Sequence, residues 1–414
     1  MAGRAQGTHL PDFGRTPSLS RLFGGDAGKA PSSAHAHRLH ARRPLSSLYL
    51  PALVSTLLLV AYGLLVVWSA SLTIENASFP RQALGAVLGL IAAVVVWRYD
   101  YRTLANMTTV LLVLDVVLML LPHVPGLGAN AKGMTGWIVV PLIGLRFQPS
   151  ELAKIITILL MAGLTAQYNG KIETLRDYVR LCAILCVPFF LILSQPDLGT
   201  GLVILVLGAT IIICGGAKRS WVLVTIALIV LGAAVIIVTS MSESFPVHVL
   251  KPYQLKRLIV FVDPTVDPAG DGYNLQQAKI AVGSGGLLGK GIGNATQAGQ
   301  GFLPEAHTDF VFALLSDEFG FVGAMLLLGL FACLLFSTIL LAMRCESPFA
   351  KLTLVGIVAM WTFQILENIG MCIGIMPITG IPLPFISFGS SSMIVQLMAA
   401  GLVQSVHLHR NKSA

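Results

Sequence analysis

Residues 272–320 read GYNLQQAKIAVGSGGLLGKGIGNATQAGQGFLPEAHTDFVFALLSDEFG and form a long polar, glycine-rich passage in an otherwise apolar chain. The passage leads to His307-Thr308-Asp309, where a new hydrophobic run begins. A carboxylate at the mouth of a membrane span is costly, which favours a functional role for it. We therefore predict that Asp309 is the chemical centre of the protein and that the apolar remainder is a membrane scaffold around it.

The composition is that of an integral membrane protein. Of the 414 residues, 55% are hydrophobic and 11% are charged, whereas soluble domains carry about a quarter charged residues. The net charge of +8 does not indicate a nucleic-acid partner, because basic residues collect in the cytoplasmic loops of membrane proteins.

Long apolar runs predict an all-α polytopic membrane protein with about ten transmembrane helices. The runs lie near 48–71, 80–97, 104–121, 150–167, 180–194, 198–215, 220–240, 310–343, 352–375 and 389–408. The 310–343 run exceeds one span, which predicts a membrane-edge segment over 310–320 before the crossing helix. Residues 1–44 are rich in Gly, Ala, Ser, His and Arg and predict a disordered basic cytoplasmic tail. The transmembrane domain is then 45–414.

The distribution of Lys and Arg predicts the orientation. One set of short loops is basic and contains Arg98, Arg102, Lys171, Arg176, Arg180, Lys218, Arg219, Arg344 and Lys351. The opposite short loops hold few such residues. An even number of spans then places both termini in the cytoplasm and makes 241–308, between helices 7 and 8, a large extracellular loop. The short outer loops are dense in Pro and Gly, and we expect the polar chemistry to gather on this outer face.

Asp309 has two interpretations. It follows Pro304 and precedes an apolar run, where an Asp suits the N-cap of a helix. A carboxylate partly withdrawn from water at the membrane edge also has a raised proton affinity, which suits a general base. Glu305 and His307 are candidates to tune this acid or to bind substrate. The residues alone leave both interpretations open.

A second polar group stands at the start of the fourth span. Glu151 favours the positive end of a helix, but Lys154 lies one turn inside the span, where a cation is expensive. Two cations near the outer interface suit a diphosphate ligand, Arg146 by its planar fork and Lys154 as a point charge. Snorkelling of Lys154 to the interface is the alternative.

Other polar residues lie on the same predicted side. Asp197 fits a tight turn that caps the next helix, or a partner for a cation on a neighbouring helix. The run 376–384 contains three prolines and is too apolar for an aqueous loop, so we predict that it dips into the membrane edge. Ser387 follows it, either in a helix start or as a polar wall of a headgroup cavity. Glu367, deep in the ninth span, needs a partner or a cavity, and Lys154 is one candidate.

Together these stretches resemble the SEDS family (shape, elongation, division and sporulation), the polytopic peptidoglycan polymerases. The resemblance rests on five stretches in family order: 147–154, 195–200, 273–286, 303–310 and 368–387. The sequences Asn-Ile-Gly-Met at 368–371 and Gly-Ile-Pro-Leu-Pro-Phe at 380–385 are more similar to the elongation member RodA than to the division member FtsW. One departure is Gly136 before Trp137, where members usually carry Arg.

The resemblance implies an activity and its site. It implies polymerisation of lipid II into β-1,4 glycan strands on the outer face of a bacterial plasma membrane, with release of undecaprenyl diphosphate, for cell-wall elongation and cell shape. The family's essential acid falls on Asp309, and its functional cations fall on Arg146 and Lys154. The further residues that we predict to contact substrate are Glu151, Trp137, Glu305, His307, Asp197 and Ser387.

The resemblance also implies partners. These are a class B penicillin-binding protein transpeptidase and elongation-machinery membrane proteins. A divalent cation (Mg or Mn) stays open, with Asp309, Glu305 and His307 as available ligands, and no metal site is assigned. Three other functions remain: a lipid II flippase, which would need polar residues along a two-sided path, a division polymerase of the FtsW type, and a non-catalytic scaffold.

Overall fold

The computed structural model describes residues 48–124, 128–131, 134–140, 145–241 and 252–410. The predicted basic tail and residues 242–251 of the predicted outer loop lie outside the described residues. In chain order the elements are α1 (Leu50–Thr73), α2 (Phe79–Arg98), α3 (Arg102–Ala105), α4 (Thr108–Leu120), β1 (Gly128–Ala131), β2 (Met134–Val140), β3 (Leu145–Phe147), α5 (Pro149–Ala166), α6 (Leu175–Ser194), α7 (Leu198–Cys214), α8 (Arg219–Met241), α9 (Pro252–Val262), α10 (Asp271–Ser284), α11 (Thr296–Gly299), α12 (Val311–Met343), α13 (Pro348–Ile373) and α14 (Ser390–His409).

The predicted class, an all-α polytopic membrane protein, is confirmed. Eight of the described helices are long and apolar enough to cross a membrane, and α4 and α7 are shorter apolar helices. Together they coincide with the apolar runs read from the sequence. The ends differ by a few residues, because polar and proline residues that flank a run often belong to its first or last turn.

Helix α5 is the centre of the bundle. In its most apolar stretch 83% of the residues are buried, compared with 22% in α2. It packs against α4, α7 and α13. Polar side chains on α5 are therefore enclosed by protein and not by lipid, so each of them requires a partner inside the bundle.

Helices α2 and α14 lie side by side because glycines line their contact. A Cβ added at Gly89 would stand 2.6 Å from Leu397 Cδ1, and one added at Gly85 would stand 2.8 Å from Ser390 Cα. Small residues four apart let two membrane helices approach closely. This approach places the start of α14 beside the buried polar residue Gln82 of α2.

Helix α12 is broken at Gly320, as the length of its apolar run predicts. Gly320 has φ 65° and ψ −162° inside a 33-residue element. A straight helix of that length would measure about 50 Å, well beyond a hydrocarbon core of about 30 Å. Glycine adopts this left-handed φ without the strain that a Cβ would bring. The break makes residues 311–319 a separate half-helix, with Asp309 just before its first turn.

The loop 284–293 satisfies the backbone groups that the break frees, and four hydrogen bonds join the two segments: Phe321 N to Gly286 O (2.8 Å), Val322 N to Leu287 O (3.1 Å), Lys290 N to Asp317 O (3.0 Å) and Gly291 N to Glu318 O (2.9 Å). An ion pair adds to them, with 2.6 Å between Lys290 Nζ and Asp317 Oδ1. Irregular backbone away from water is tolerated where protein covers it in this way.

Residues 128–147 contain a three-stranded antiparallel sheet in the order β1-β2-β3. The apolar runs on either side, which end near 121 and resume near 150, predicted only a loop here. Ile138 at the middle of β2 pairs with Gly128 on one side and Phe147 on the other. That expectation was wrong because the strands are short and Gly and Ala residues hide the alternation that identifies a strand.

The described part of the long loop 241–308 is folded into helices. Ion pairs join α9 to the following turn and to α10: 2.9 Å separates Lys256 Nζ from Asp267 Oδ2, and 3.6 Å separates Arg257 Nε from Asp271 Oδ2. The hydrogen bond from Lys256 lowers the pKa of the Asp267 carboxyl. Helix α10 packs on α12 and α13, so the loop rests on the helix that begins beside Asp309.

Candidate functional site

Asp309 lies at the end of a tight turn that precedes α12. The backbone carbonyl of Glu305 accepts hydrogen bonds from the amides of Thr308 (3.1 Å) and Asp309 (3.0 Å). The Thr308 hydroxyl also donates to Glu305 Oε2 at 3.0 Å. Phe310 is the N-cap residue of α12, so the interpretation of Asp309 as a plain cap is wrong: the helix begins one residue too late for it.

The 376–388 segment holds this turn from the other side. The side-chain amide of Asn368 donates to the carbonyls of Asp309 and Ile381, each at 2.8 Å. Ser387 Oγ donates to the carbonyl of Thr308 at 2.7 Å and accepts from the amide of Leu383 at 2.8 Å. Ser387 therefore ties the segment to the Asp309 turn, which makes it a positioning group for this acid.

His307 is buried within the same turn. Its carbonyl accepts from the amide of Phe388 at 2.9 Å, and its ring lies 5.4 Å from the Phe388 ring, centroid to centroid. The imidazole is thus enclosed against an aromatic side chain at the end of the 376–388 segment.

Replacing Ser387 by alanine is expected to destabilise the protein by about 1–3 kcal/mol, because it removes a partner from two buried backbone groups. The thermal midpoint in detergent measures this effect. Ser392→Ala is the control, since Ser392 is a buried serine on the following helix. Equal midpoints for the two variants would show that the Ser387 hydroxyl does not hold the turn.

Lys154 and Glu151 form a buried ion pair on α5. The distance from Lys154 Nζ to Glu151 Oε1 is 2.7 Å, and the two side chains are 1% and 3% exposed. Lys154 therefore does not snorkel to an interface. Nor does it pair with Glu367, whose Oε1 accepts from the Thr379 hydroxyl. That candidate pairing was wrong because Glu151, one turn away on the same helix, already meets the ammonium.

Asp197 adjoins this pair. It is the N-cap of α7, where its Oδ1 accepts from the Thr200 amide at 2.9 Å, so the capping interpretation is confirmed. Its Oδ2 accepts from the side-chain amide of Gln148 at 3.2 Å. Burial raises the pKa of the Asp197 carboxyl, and the Thr200 amide opposes that rise. Lys154 and Glu151 both lie close enough to influence it electrostatically.

The short stretch Thr379-Gly380-Ile381 adjoins both the Asp309 turn and the Asp197 turn. A Cβ added at Gly380 would stand 3.3 Å from Asp309 Oδ2. A Cβ added at Gly199, in the turn after Asp197, would stand 3.2 Å from the Thr379 carbonyl oxygen. The structure thus brings Asp309 and the Asp197 turn close to the same part of the 376–388 segment.

Two predicted site residues lie on the small sheet. Trp137 is half-buried on β2, opposite Ala129 of β1. The backbone of Arg146 lies in β3, opposite Val139, and its side chain is outside the described part of the structure. The sheet adjoins α5 and α14, so both residues lie near the entrance of α5, although no described contact joins Trp137 to Asp309 or Lys154.

Comparison with known proteins identifies the family. The family described as "Cell cycle protein", FTSW_RODA_SPOVE, matches residues 50–412. The chain belongs to the FtsW/RodA/SpoVE family. The SEDS resemblance read from the motifs is therefore confirmed, and the FtsW/RodA/SpoVE match covers every described element.

Relatives of this FtsW/RodA/SpoVE protein carry several names. Peptidoglycan glycosyltransferase MrdB of Escherichia coli K12 is 34% identical over 361 residues, covering 86% of this chain and 93% of that protein. Stage V sporulation protein E of Bacillus subtilis 168 is 36% identical over 361 residues, covering 85% and 95%. The probable peptidoglycan glycosyltransferase FtsW of a Thioalkalivibrio strain is 34% identical over 373 residues, covering 87% and 90%.

Solved structures share the fold. A chain from a study of polymerization and crosslinking by a peptidoglycan synthase complex aligns with a TM-score of 0.73 at 30% identity, covering 87% of this chain and 98% of that one. The rod shape determining protein RodA of Thermus thermophilus aligns with a TM-score of 0.63 at 28% identity, covering 87% and 97%.

A metal centre would need several ligating side chains close together. Among the residues that the structure describes, no three His, Cys, Asp or Glu side chains come together in a way that could hold a metal ion. Glu305 accepts from the Thr308 hydroxyl, and the His307 ring lies beside that of Phe388. We therefore assign no step to a divalent cation.

Sequence reasoning missed two groups in this FtsW/RodA/SpoVE site. Gln82 of α2 donates to the Ser387 carbonyl at 3.1 Å and accepts from the Gly389 amide at 2.9 Å. A fully buried amide in an apolar helix was the available signal. Thr379 was missed because its partner Glu367 becomes a neighbour only once the 376–388 segment folds back against α13.

Proposed function

We propose that this protein is a peptidoglycan glycosyltransferase that polymerises lipid II on the outer face of the bacterial plasma membrane. The observation that carries the proposal is the half-buried Asp309, whose turn is held by side chains of Asn368 and Ser387 through the backbone carbonyls of Asp309 and Thr308. Relatives named as peptidoglycan glycosyltransferases, one of them as probable, match 86% and 87% of this chain, which supports the same activity here.

In the proposed reaction Asp309 is the general base. It takes the proton of the GlcNAc 4-hydroxyl of lipid II, and that oxygen attacks the anomeric carbon of the MurNAc at the lipid-linked end of the growing strand. The bond from that carbon to the undecaprenyl diphosphate breaks, and the diphosphate leaves with the bonding electrons. The donor is α-linked and the new bond is β-1,4, so the step inverts the anomeric centre.

Lys154 and Arg146 are proposed to stabilise the leaving diphosphate. Preorganised cations are effective where charge develops and water is excluded. Glu151 fixes the Lys154 ammonium at 2.7 Å, so no reorganisation is needed when the diphosphate charge appears. Glu151, Asp197 and Trp137 would line this side of the substrate, and Glu305 and His307 would line the side of the acid.

The proposed orientation follows from charge. The basic short loops face the cytoplasm together with both termini, and the 241–308 loop faces outward with the Asp309 turn. A class B penicillin-binding protein transpeptidase is the proposed partner, supported by a structural relative from a complex that couples polymerization and crosslinking. We also propose contacts with elongation-machinery membrane proteins. The sequences at 368–371 and 380–385 favour a role in elongation over one in division. The MrdB and FtsW relatives are equally similar to this chain, at 34% identity each.

The test is a polymerisation assay with purified protein and labelled lipid II, alone and with its transpeptidase. We expect a ladder of glycan strands on a gel that muramidase digestion removes. Absence of a ladder in both conditions, combined with lipid II transfer between leaflets of liposomes that contain the protein, would contradict the proposal and favour a flippase. Absence of both activities, with retained binding to the transpeptidase, would favour a scaffold.

A further inference from the structure

Glu367 is a buried carboxylate that the proposed reaction does not use. It lies on α13 with 3% of its surface exposed. Its Oε1 accepts from the Thr379 hydroxyl, and its Oε2 has no hydrogen-bond partner among the described residues. A carboxylate inside a membrane helix is expensive, so a role beyond packing is the default expectation for it.

The position of Glu367 relates it to the catalytic acid. Its hydrogen-bond partner Thr379 directly precedes Gly380, where an added Cβ would stand 3.3 Å from Asp309 Oδ2. The two carboxylates are far apart in sequence, and both adjoin the 376–388 segment: Glu367 contacts Thr379, and Asp309 lies beside Gly380. Thr379 is the residue of this segment that contacts Glu367.

Thr379 is held from two sides. Its hydroxyl donates to Glu367, and its backbone carbonyl accepts from Arg257 Nη1 of α9 at 3.4 Å. The next residue, Gly380, has φ +77° and no room for a side chain that would not press on Asp309. Fixing Thr379 therefore fixes the backbone that faces the Asp309 carboxylate.

We propose that Glu367 and Thr379 are positioning residues for Asp309: Glu367 anchors Thr379, and Thr379 holds Gly380 against the Asp309 carboxylate. Arg257 completes the anchor from the outer loop. The inference rests on the proposed function in so far as Asp309 is the base. A base has to be held within about 0.5 Å of its productive geometry. Holding Asp309 in this way would explain why a carboxylate is buried at Glu367.

The test compares variants that remove the Thr379–Glu367 hydrogen bond with variants that keep it. Thr379→Val and Glu367→Leu remove it, whereas Thr379→Ser and Glu367→Gln keep a donor and an acceptor. We expect the first two to lower kcat for lipid II polymerisation about tenfold with KM nearly unchanged, since a small misplacement of a catalytic group has effects of this order. The second two should stay near wild type. The double variant Thr379→Val/Glu367→Leu should lose no more than the worse single variant.

A second measurement does not depend on turnover. Hydrogen–deuterium exchange of the full-length protein without substrate should speed up over 303–310 and 376–388 in Thr379→Val, but not in Thr379→Ser or over α14. Unchanged exchange in Thr379→Val, equal kcat losses in Val and Ser variants, or additive losses in the double variant would each overturn the proposal. A wild-type protein that makes no glycan would refute the proposed function, while exchange would still decide the anchor.

Discussion

Replacement of Asp309 by asparagine is expected to lower the rate of glycan polymerisation by about 10²–10⁴-fold, the usual contribution of a general base. Asparagine keeps the shape of the side chain but cannot accept the proton of the sugar hydroxyl. The described hydrogen bond from Asn368 goes to the backbone carbonyl of Asp309, not to its carboxylate, so the turn should survive the substitution. The initial rate of strand formation from labelled lipid II measures the effect.

Glu305→Gln is the matched control for this prediction, because it is the same acid-to-amide change in the same turn. Glu305 Oε2 accepts a hydrogen bond from the Thr308 hydroxyl, and the amide oxygen of Gln can accept the same bond. We expect Glu305→Gln to lose far less activity than Asp309→Asn, because Glu305 lines the proposed site but does not take the proton. Near wild-type rates in Asp309→Asn together with a large loss in Glu305→Gln would move the base to Glu305. Equal thermal midpoints for both proteins would show that the comparison reports chemistry and not folding.

Replacement of Lys154 by methionine is expected to destabilise the protein by about 3–5 kcal/mol, the cost of leaving a buried charge without its partner. Methionine matches the length of the lysine stem, so packing changes little. Glu151, 3% exposed, then lacks the cation that it meets in the native protein. The thermal midpoint in detergent should fall, and polymerisation should be lost with it.

The double variant Lys154→Met/Glu151→Leu separates stability from function. Apolar replacement of a whole buried ion pair is often neutral or stabilising, so its midpoint should return toward that of wild type. Polymerisation should stay low, because the cation proposed to meet the diphosphate is still missing. Recovery of both stability and activity would show that Lys154 serves only to neutralise Glu151.

Most of the fold was predictable because hydropathy and length act locally. The apolar residues of a span are themselves its signal. The 310–343 run is too long for one crossing, which predicts a break, and the structure has it at Gly320. The small sheet was not predictable in the same way. Its strands are held by pairing between hairpin arms, such as Ile138 with Phe147, and their own composition carries little signal.

In the candidate site, too, features encoded locally were predictable and long-range contacts were not. Asp309, Lys154 and Ser387 were recognisable as polar residues at span ends, and Asp197 as a cap. Their partners were less predictable. Glu151 as the partner of Lys154 follows from helical spacing, which argues against the long-range alternative Glu367. The pairing of Glu367 with Thr379 depends on how a non-helical segment packs, which local patterns do not encode.

The break in α12 also affects how the chain enters the membrane during synthesis. The part after Gly320 is apolar and about long enough to be inserted by hydropathy alone. The half-helix before it carries Asp317 and Glu318, both buried in the finished protein, and each such charge opposes insertion by about 2.5–3.5 kcal/mol. Its partners in the 284–293 loop precede it in the chain and bond to it in the folded protein. Docking of this half-helix against the 284–293 loop is therefore a folding step separate from insertion of the crossing helix.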